Sequence, residues 1–144
     1  SICSQATRLR ALTGTQGEAQ RRLVVGNIYV RRDFLSIDDV VEAYRYILTS
    51  GSPGEAYNVC SGVTYSIEEL IRIVGKVVGI DFELDVDQEL VRESDKVKSV
   101  ICGNPGKLKA LGWEPTCTIE AMIDSMLAYH AAEHEKKGNP LLPA

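Results

Sequence analysis

The sequence has 144 residues, of which 44% are hydrophobic and 25% are charged, a composition that predicts one globular domain with a real core. It contains neither a membrane-length apolar run nor a signal-peptide pattern, so a soluble cytoplasmic protein is expected. Residues 1–32 hold six arginines against one acidic residue, whereas the remainder holds ten basic and nineteen acidic residues. This asymmetry favours an anionic ligand. Nucleic acid is not expected as the partner, because the arginines do not alternate with stacking aromatic residues and no nucleic-acid-binding motif appears.

Strands alternate with helices along the chain, which predicts an α/β fold. The first helix is expected near residues 2–12, a strand at 23–25 and a second helix at 37–49, begun by Ser36 or Asp38. The expected apolar face of the second helix consists of Ile37, Val40, Val41, Tyr44, Ile47 and Leu48, with Asp39, Glu42 and Arg45 facing water. Residues 56–60 are β-rich and predict an internal strand.

The second half of the chain carries clear local signals. Residues 66–69 fit a capping box, which predicts a helix ending at Gly79. Acidic and apolar residues alternate over 81–87, as is typical of a half-buried strand at a sheet edge. Another short strand is expected at 99–102, followed by a helix that Asn104 caps.

The last predicted helix begins at Thr118, and residues 136–144 are expected to form a flexible tail beyond a folded domain of residues 1–135. The end of this helix, residues 130–134, matches the H-x-x-E-H zinc pattern. The sequence has no other histidine, so a solvated helix end is the favoured interpretation. The four cysteines are widely separated and favour reduced thiols over a disulfide frame or a zinc site.

The main functional pattern is the run Arg31-Arg32-Asp33-Phe34, which is expected to cross between a strand and a helix. A guanidinium group offers paired planar donors to phosphate oxygens at any physiological pH. The alternative is a surface arginine paired with Asp33, an arrangement that is common and contributes little. A second pattern, Arg92-x-x-Asp95, predicts either contacts to a phosphate and ribose hydroxyls or a surface loop of mixed charge.

No catalytic machinery is predicted. Residues 103–107 lie between a strand and a helix, but Pro105 removes an amide that a phosphate loop would need, so they predict a helix cap. No tyrosine is followed four residues later by lysine, and no dinucleotide-binding glycine fingerprint occurs.

Several motifs nevertheless occur in a familiar order and at familiar spacing. They are Gly26-Asn27, Arg32-Asp33-Phe34, Asp38-Asp39-Val40, the run Tyr57 to Gly62, Arg92-x-x-Asp95 and Gly112-Trp113-Glu114-Pro115. Together they resemble the C-terminal substrate-binding part of an extended short-chain dehydrogenase/reductase of the NAD-dependent epimerase/dehydratase family. The wording is closest to GDP-4-keto-6-deoxy-mannose reductases, then to GDP-mannose 4,6-dehydratases, and more distantly to UDP-sugar 4-epimerases.

The resemblance implies a set of substrate-binding residues. Arg32 would bind the diphosphate of a nucleotide sugar, Arg92 would meet it from the other side, and Asp95 would accept the ribose hydroxyls. Phe34 and the segment Val25-Gly26-Asn27 would line the nucleotide end. In this family the positions of Asp39 and Tyr57 look structural.

The resemblance also implies what this sequence lacks. The complete enzymes carry an N-terminal Rossmann half with the glycine-rich NAD(P) loop and a Tyr-x-x-x-Lys pair, and that half is absent from this sequence. The chain is therefore expected to hold a nucleotide sugar, preferably a GDP-sugar, to bind no cofactor alone and to be inactive alone. The complete enzyme is expected to be a homodimer. The alternative, from another class, is a non-catalytic nucleotide-sugar-binding or interaction module.

Overall fold

A computed structural model describes residues 2–12, 22–91 and 99–136, without the side chains of 8–12, 134 and 135. Helices and strands alternate within these ranges, which confirms the predicted α/β class. In chain order the elements are α1 (Ile2–Leu12), β1 (Arg22–Val25), β2 (Arg31–Asp33), α2 (Ile37–Ser50), β3 (Thr64–Ser66), α3 (Ile67–Val78), β4 (Glu83–Val86), β5 (Val100–Ile101), α4 (Gly106–Lys109) and α5 (Ile119–Lys136). A single 3-10 turn, Gln88–Leu90, follows β4.

The strands form two small sheets. β1 pairs in parallel with β4, so the predicted edge strand is confirmed over four of its seven residues. In the second sheet β2 lies between β3, which is antiparallel to it, and β5, which is parallel. The expectation that Arg31–Asp33 is a crossing segment is therefore wrong, because these residues form the central strand of a three-stranded sheet.

The predicted internal strand at residues 56–60 is absent. These residues pair with no strand of the described chain. Two of their side chains, Tyr57 and Val59, still pack against a core formed by Ala43, Leu108 and Trp113. The β-rich composition was not sufficient for a strand, because a strand also needs a neighbouring backbone with which to pair.

The predicted face of α2 is also wrong in part. Asp39, expected to face water, is buried, whereas Ile37 and Leu48, expected on the apolar face, are exposed. The side of α2 that packs inward carries Ala43, with Tyr46 and Ile47 beside it. Ala43, a small residue, is fully buried at the contact with the Trp113 core. Most of the larger apolar side chains of α2 lie on other sides of the helix and are exposed.

Two further cores are formed by other elements. One joins α1, α3 and α5 through buried Cys3, Ala6, Val74, Ile119, Ile123 and Leu127. The other packs β1 against α3 through buried Leu23, Val25, Ile28 and Ile71. On α5, Ile119, Ile123 and Leu127 are buried, whereas Met126 is exposed.

The predicted helix starts are confirmed by their hydrogen bonds. Ser66 Oγ accepts from the Glu69 amide (3.0 Å) while Glu69 Oε2 accepts from the Ser66 amide (2.7 Å), which is the capping box. Gly79 ends α3 in the left-handed conformation, with φ 72°. Ser36 caps α2, and Thr118 Oγ1 accepts from the Ala121 amide (3.2 Å) at the start of α5.

The helix expected after Asn104 begins at Gly106, and its N-cap is Pro105 rather than the predicted Asn104. The Asn104 side chain still accepts a hydrogen bond at this turn, from the Gly106 amide to Oδ1 (2.9 Å). At the C-terminal end of the chain, Lys136 closes α5, and the rest of the expected tail, residues 137–144, lies outside the described residues.

Candidate functional site

Arg32 is held in place by the central strand β2. Its Nη1 atom donates to the carbonyl oxygens of Arg31 (2.9 Å) and Ser99 (3.1 Å) and to Ser99 Oγ (3.0 Å). Ser99 is the first described residue after the segment 92–98, and its carbonyl also accepts from the Arg31 amide (2.9 Å). The half-buried Arg32 is therefore anchored on Ser99.

Arg92 and Asp95, the other predicted polar ligands, lie outside the described residues. The convergence of their side chains with Arg32 on one diphosphate stays a prediction. The ends of their segment are described: Ser99 contacts Arg32, and Val91 lines a cleft beside Asn27. The two described residues that flank the segment in the sequence therefore lie at the cleft and beside Arg32.

This cleft has a volume of about 220 Å³. It is lined by Asn27, Ile28, Tyr29, Val86, Gln88 and Val91. Asn27 Oδ1 accepts from the Tyr29 amide (2.9 Å), which shapes the turn after β1. Tyr29 is 57% exposed, and an exposed aromatic side chain can stack on a planar ligand. Sequence reasoning missed Tyr29, although an aromatic residue two positions after Gly-Asn was a usable signal.

The other predicted lining residues are placed differently. Val25 is buried among apolar side chains, so only its backbone, whose carbonyl accepts from the Asp87 amide (2.8 Å), faces the turn after β4. Phe34 is half-buried and packs against the core of α1, α3 and α5. At Gly26 a Cβ would lie 2.7 Å from the Leu90 carbonyl oxygen, so glycine permits the close approach of the 3-10 turn. Their proposed nucleotide contacts stay predictions.

Asp33 has a role that the sequence did not reveal. Its carboxylate accepts hydrogen bonds from the Ser61 amide (2.9 Å), the Ser61 hydroxyl (2.6 Å) and the Gly62 amide (2.9 Å). The alternative interpretation, a surface arginine paired with Asp33, is therefore wrong. The Asp33 carboxylate instead connects β2 to residues 61–62. This tie fixes the strand that presents Arg32.

The two neighbouring arginines have different contacts. Arg31 forms an ion pair with Glu69 (2.9 Å) and donates to Thr64 Oγ1 (3.1 Å) and the Thr64 carbonyl (2.7 Å). The Ser66 amide and then Arg31 lower the pKa of Glu69 below its usual value. Arg31 thus joins β2 to the start of α3, whereas Arg32 contacts Ser99 beside β5.

Asp39 is a buried carboxylate that joins α2 to the segment before α5. It accepts from the Thr116 amide (2.9 Å) and hydroxyl (3.0 Å) and from the Cys117 amide (3.1 Å), while its backbone carbonyl accepts from the Trp113 indole (3.1 Å). Burial alone would raise the pKa of Asp39, but the hydrogen bonds from Thr116, Ser36 and Cys117 outweigh it and lower the pKa. The structural role implied for this residue agrees with these contacts.

Neither a metal site nor a membrane-spanning helix is found in the part of the chain that is described. No cluster of three or more histidine, cysteine or acidic side chains is placed to hold a metal ion there. In the H-x-x-E-H pattern, the His134 side chain is outside the described set, and His130 makes an edge contact with Tyr129. All four cysteines are free thiols. None of the described helices combines the length and apolarity needed to cross a membrane.

Comparison with known proteins identifies the family of this chain. The family model described as GDP-mannose 4,6 dehydratase matches residues 5–126. A relative, the GDP-6-deoxy-D-mannose reductase of Pseudomonas aeruginosa, is 35% identical over 114 residues, which are 78% of this chain and 37% of the relative. CDP-abequose synthase of Salmonella muenchen is 33% identical over 100 residues, 68% of this chain and 33% of that protein. The chain thus spans well under half the length of these relatives.

Solved structures agree. The structure of RMD from Pseudomonas aeruginosa complexed with NADPH superposes with a TM-score of 0.74 at 33% identity, covering 92% of this chain and 43% of that one. A Thermotoga maritima UDP-glucose 4-epimerase solved with UDP-glucose shares the fold, with a TM-score of 0.67 at 23% identity over 88% of this chain and 38% of that one. The chain therefore belongs to the GDP-mannose 4,6 dehydratase family of extended short-chain dehydrogenases/reductases.

Proposed function

We propose that this chain is the substrate-binding part of a longer NAD(P)-dependent enzyme that modifies a nucleotide sugar, with a GDP-sugar favoured. The family membership and the reductase relative support this proposal. The observation that carries it is the Arg32 guanidinium, which is anchored on Ser99, the residue that follows the segment containing Arg92 and Asp95 in the sequence. An arginine whose side chain is already ordered loses less entropy when it binds a diphosphate.

The proposed binding mode uses both ends of that segment. Arg32 and Arg92 hold the diphosphate from two sides, Asp95 accepts the ribose hydroxyls, and the cleft with Asn27 and Tyr29 receives the base. Two charge-assisted contacts of this kind contribute about 3–6 kcal/mol before the costs of binding are subtracted. Anchoring the nucleotide positions the hexose for a reaction elsewhere in the enzyme.

NAD(P) is assigned to the remainder of the enzyme. The residues of this chain do not fit the cofactor, because the sequence has neither the glycine-rich dinucleotide loop nor a Tyr-x-x-x-Lys pair. When bound in the complete enzyme, NAD(P) supplies hydride exchange with the hexose. This chain then contributes binding and orientation, whether the whole protein is a reductase, a dehydratase or an epimerase, and it is inactive alone.

Calorimetric titration with GDP-mannose tests the proposal. We expect weak binding to the wild-type chain and at least a tenfold loss in the Arg32→Ala/Arg92→Ala variant, since each contact contributes about 1.5–3 kcal/mol. Arg45→Ala is the matched control, because Arg45 is an exposed arginine whose ion-pair partner is Glu42 on α2. Arg32→Lys keeps the charge but loses the paired donors, and it should bind between the two extremes.

Two results would refute the proposal. One is the absence of binding heat with the wild-type chain at millimolar GDP-mannose. The other is equal affinity of the wild type and the double variant, provided that both show the same Trp113 fluorescence and circular dichroism.

A further inference from the structure

Cys102 lies beside the carboxylate at the end of β2. β5 pairs in parallel with β2, and Arg32 is opposite Ile101. One residue further in the same register, Cys102 is the neighbour of Asp33. Residues opposite each other in a sheet point to the same face, so the Cys102 side chain lies on the face that carries the Asp33 carboxylate. Cys102 is exposed, and its thiol contacts the Gly103 carbonyl oxygen (3.6 Å).

Cys60 reaches the same place from a different segment. Asp33 holds residues 61–62 through three hydrogen bonds, and Cys60 directly precedes them. The half-buried Cys60 side chain packs on the backbone of Gly103, where a Cβ would lie 2.7 Å from Cys60 Cβ, closer still to its Sγ, and 4.0 Å from Asp33 Oδ2. Consecutive Cα atoms are about 3.8 Å apart, so the thiols of Cys60 and Cys102 lie next to one short stretch of backbone.

The surroundings of the two thiols give each a different reactivity. Burial is the main reason that the pKa of Cys60 lies above its usual value, and the nearby charges of Asp33 and Cys102 raise it further. Cys60 is therefore protonated at neutral pH and partly covered, whereas Cys102 is open to solvent. Thiol–disulfide exchange needs an accessible thiolate, so Cys102 is the cysteine that reacts first.

We propose that Cys60 and Cys102 are a thiol modification site that forms a reversible disulfide on reaction with a small disulfide such as glutathione disulfide. The Cys102 thiolate attacks one sulfur of the reagent, so a mixed disulfide forms and one glutathione thiolate leaves. Cys60 then loses its proton and attacks the Cys102 sulfur, which forms the Cys60–Cys102 bond and releases the second glutathione thiolate. The two thiolates take up the two protons, so both cysteines are oxidised and the reagent is reduced to two thiols.

The free thiols of the structure are the reduced state of this site. A disulfide with one exposed sulfur is readily reduced again, so the site responds to the balance of thiols and disulfides around it. When it forms, the bond closes a long loop of chain and joins two segments that lie beside the end of β2, the strand that carries Arg32. The inference does not depend on the proposed function, because it concerns these thiols alone.

The test is peptide mass spectrometry of the native chain after incubation with glutathione disulfide. Lysine or arginine residues separate all four cysteines in the sequence, so trypsin places each cysteine in its own peptide. We expect one linked pair of peptides, which carries Cys60 and Cys102, and the release of two glutathione molecules from each chain. The matched control Cys3→Ala/Cys117→Ala removes the other two cysteines and should form the same bond at a rate within twofold of the wild type.

Two single variants separate the two steps. Cys60→Ser should stop at the mixed disulfide, with one glutathione retained on Cys102. Cys102→Ser should release glutathione at least tenfold more slowly than the wild type, because the remaining Cys60 is partly covered and protonated. Equal circular dichroism and Trp113 fluorescence check that the variants keep the fold, and the wild-type mapping needs no substitution.

The proposal is overturned if the wild type ends as a mixed disulfide, like Cys60→Ser, because the two sulfur atoms then do not meet. It is also overturned if the linked peptides carry another pair of cysteines, if the bond joins two chains, or if Cys102→Ser reacts as fast as the wild type. None of these measurements involves GDP-mannose, so a failure here leaves the proposed function in place, and a failure of GDP-mannose binding leaves the disulfide in place.

Discussion

Replacing Asp39 by asparagine tests the buried carboxylate that joins the start of α2 to residues 113–117. Oδ1 accepts from the amide and hydroxyl of Thr116, at 2.9 and 3.0 Å, and Oδ2 accepts from the Ser36 hydroxyl (2.8 Å) and the Cys117 amide (3.1 Å). Asparagine keeps the shape and one acceptor oxygen. With that oxygen toward Thr116, its NH₂ group faces the Cys117 N–H, which then has no acceptor.

The expected loss of stability follows from the hydrogen bonds that asparagine cannot make. One unsatisfied buried donor costs about 1–3 kcal/mol, and loss of the negative charge at the remaining bonds adds about 1 kcal/mol. We therefore expect Asp39→Asn to lower the free energy of unfolding by about 2–4 kcal/mol near neutral pH. Asp38→Asn is the control, because Asp38 is an exposed acid in the same turn and should cost only its helix-dipole interaction, about 0.3–1 kcal/mol.

The effect should depend on pH in a defined direction. Burial raises the pKa of Asp39 and the Thr116, Ser36 and Cys117 hydrogen bonds lower it, with a net lowering. The stabilisation by this carboxylate is therefore complete above its unfolded pKa of about 3.9 and is lost as the pH falls through the folded value. The difference in stability between wild type and Asp39→Asn should be constant from about pH 5 to 8 and narrow below about pH 4.

Urea unfolding followed by Trp113 fluorescence measures this difference. Trp113 is the only tryptophan, is 1% exposed, and donates from its indole nitrogen to the Asp39 carbonyl. The reasoning is refuted if Asp39→Asn loses no more stability than Asp38→Asn, or if the difference between wild type and Asp39→Asn widens as the solution is acidified.

Two other predictions concern single contacts. Ser66→Ala removes one half of the capping box and should lower the free energy of unfolding by about 1–2 kcal/mol in urea denaturation; a loss no greater than that of the exposed Ser52→Ala would contradict the prediction. Gly26→Ala places a Cβ 2.7 Å from the Leu90 carbonyl oxygen and should displace the 3-10 turn. Hydrogen–deuterium exchange should then be faster at residues 88–91, and unchanged rates would show that the turn accommodates the methyl group.

The sequence by itself determined the elements whose signals are local. The capping box at Ser66, the left-handed stop at Gly79 and the alternating strand within residues 81–87 involve neighbours a few residues apart, and all three are present. The family resemblance was also readable, because it depends on the order and spacing of motifs. Among the predicted site residues, Asn27 lines a cleft and Arg32 contacts Ser99, but the ligand contacts of these residues, like those of Arg92 and Asp95, stay predictions.

Only the tertiary structure decided which polar and apolar groups are covered. Asp39 occupies a position that the helical pattern assigns to water, but its hydrogen-bond donors come from residues 77 and 78 positions away. Strands of three residues, such as Arg31–Asp33, are too short to show a period and exist because neighbouring backbones pair with them. The apolar pattern of α2 was plain in the sequence, but pattern alone cannot say which side meets a neighbour, because burial depends on what packs there.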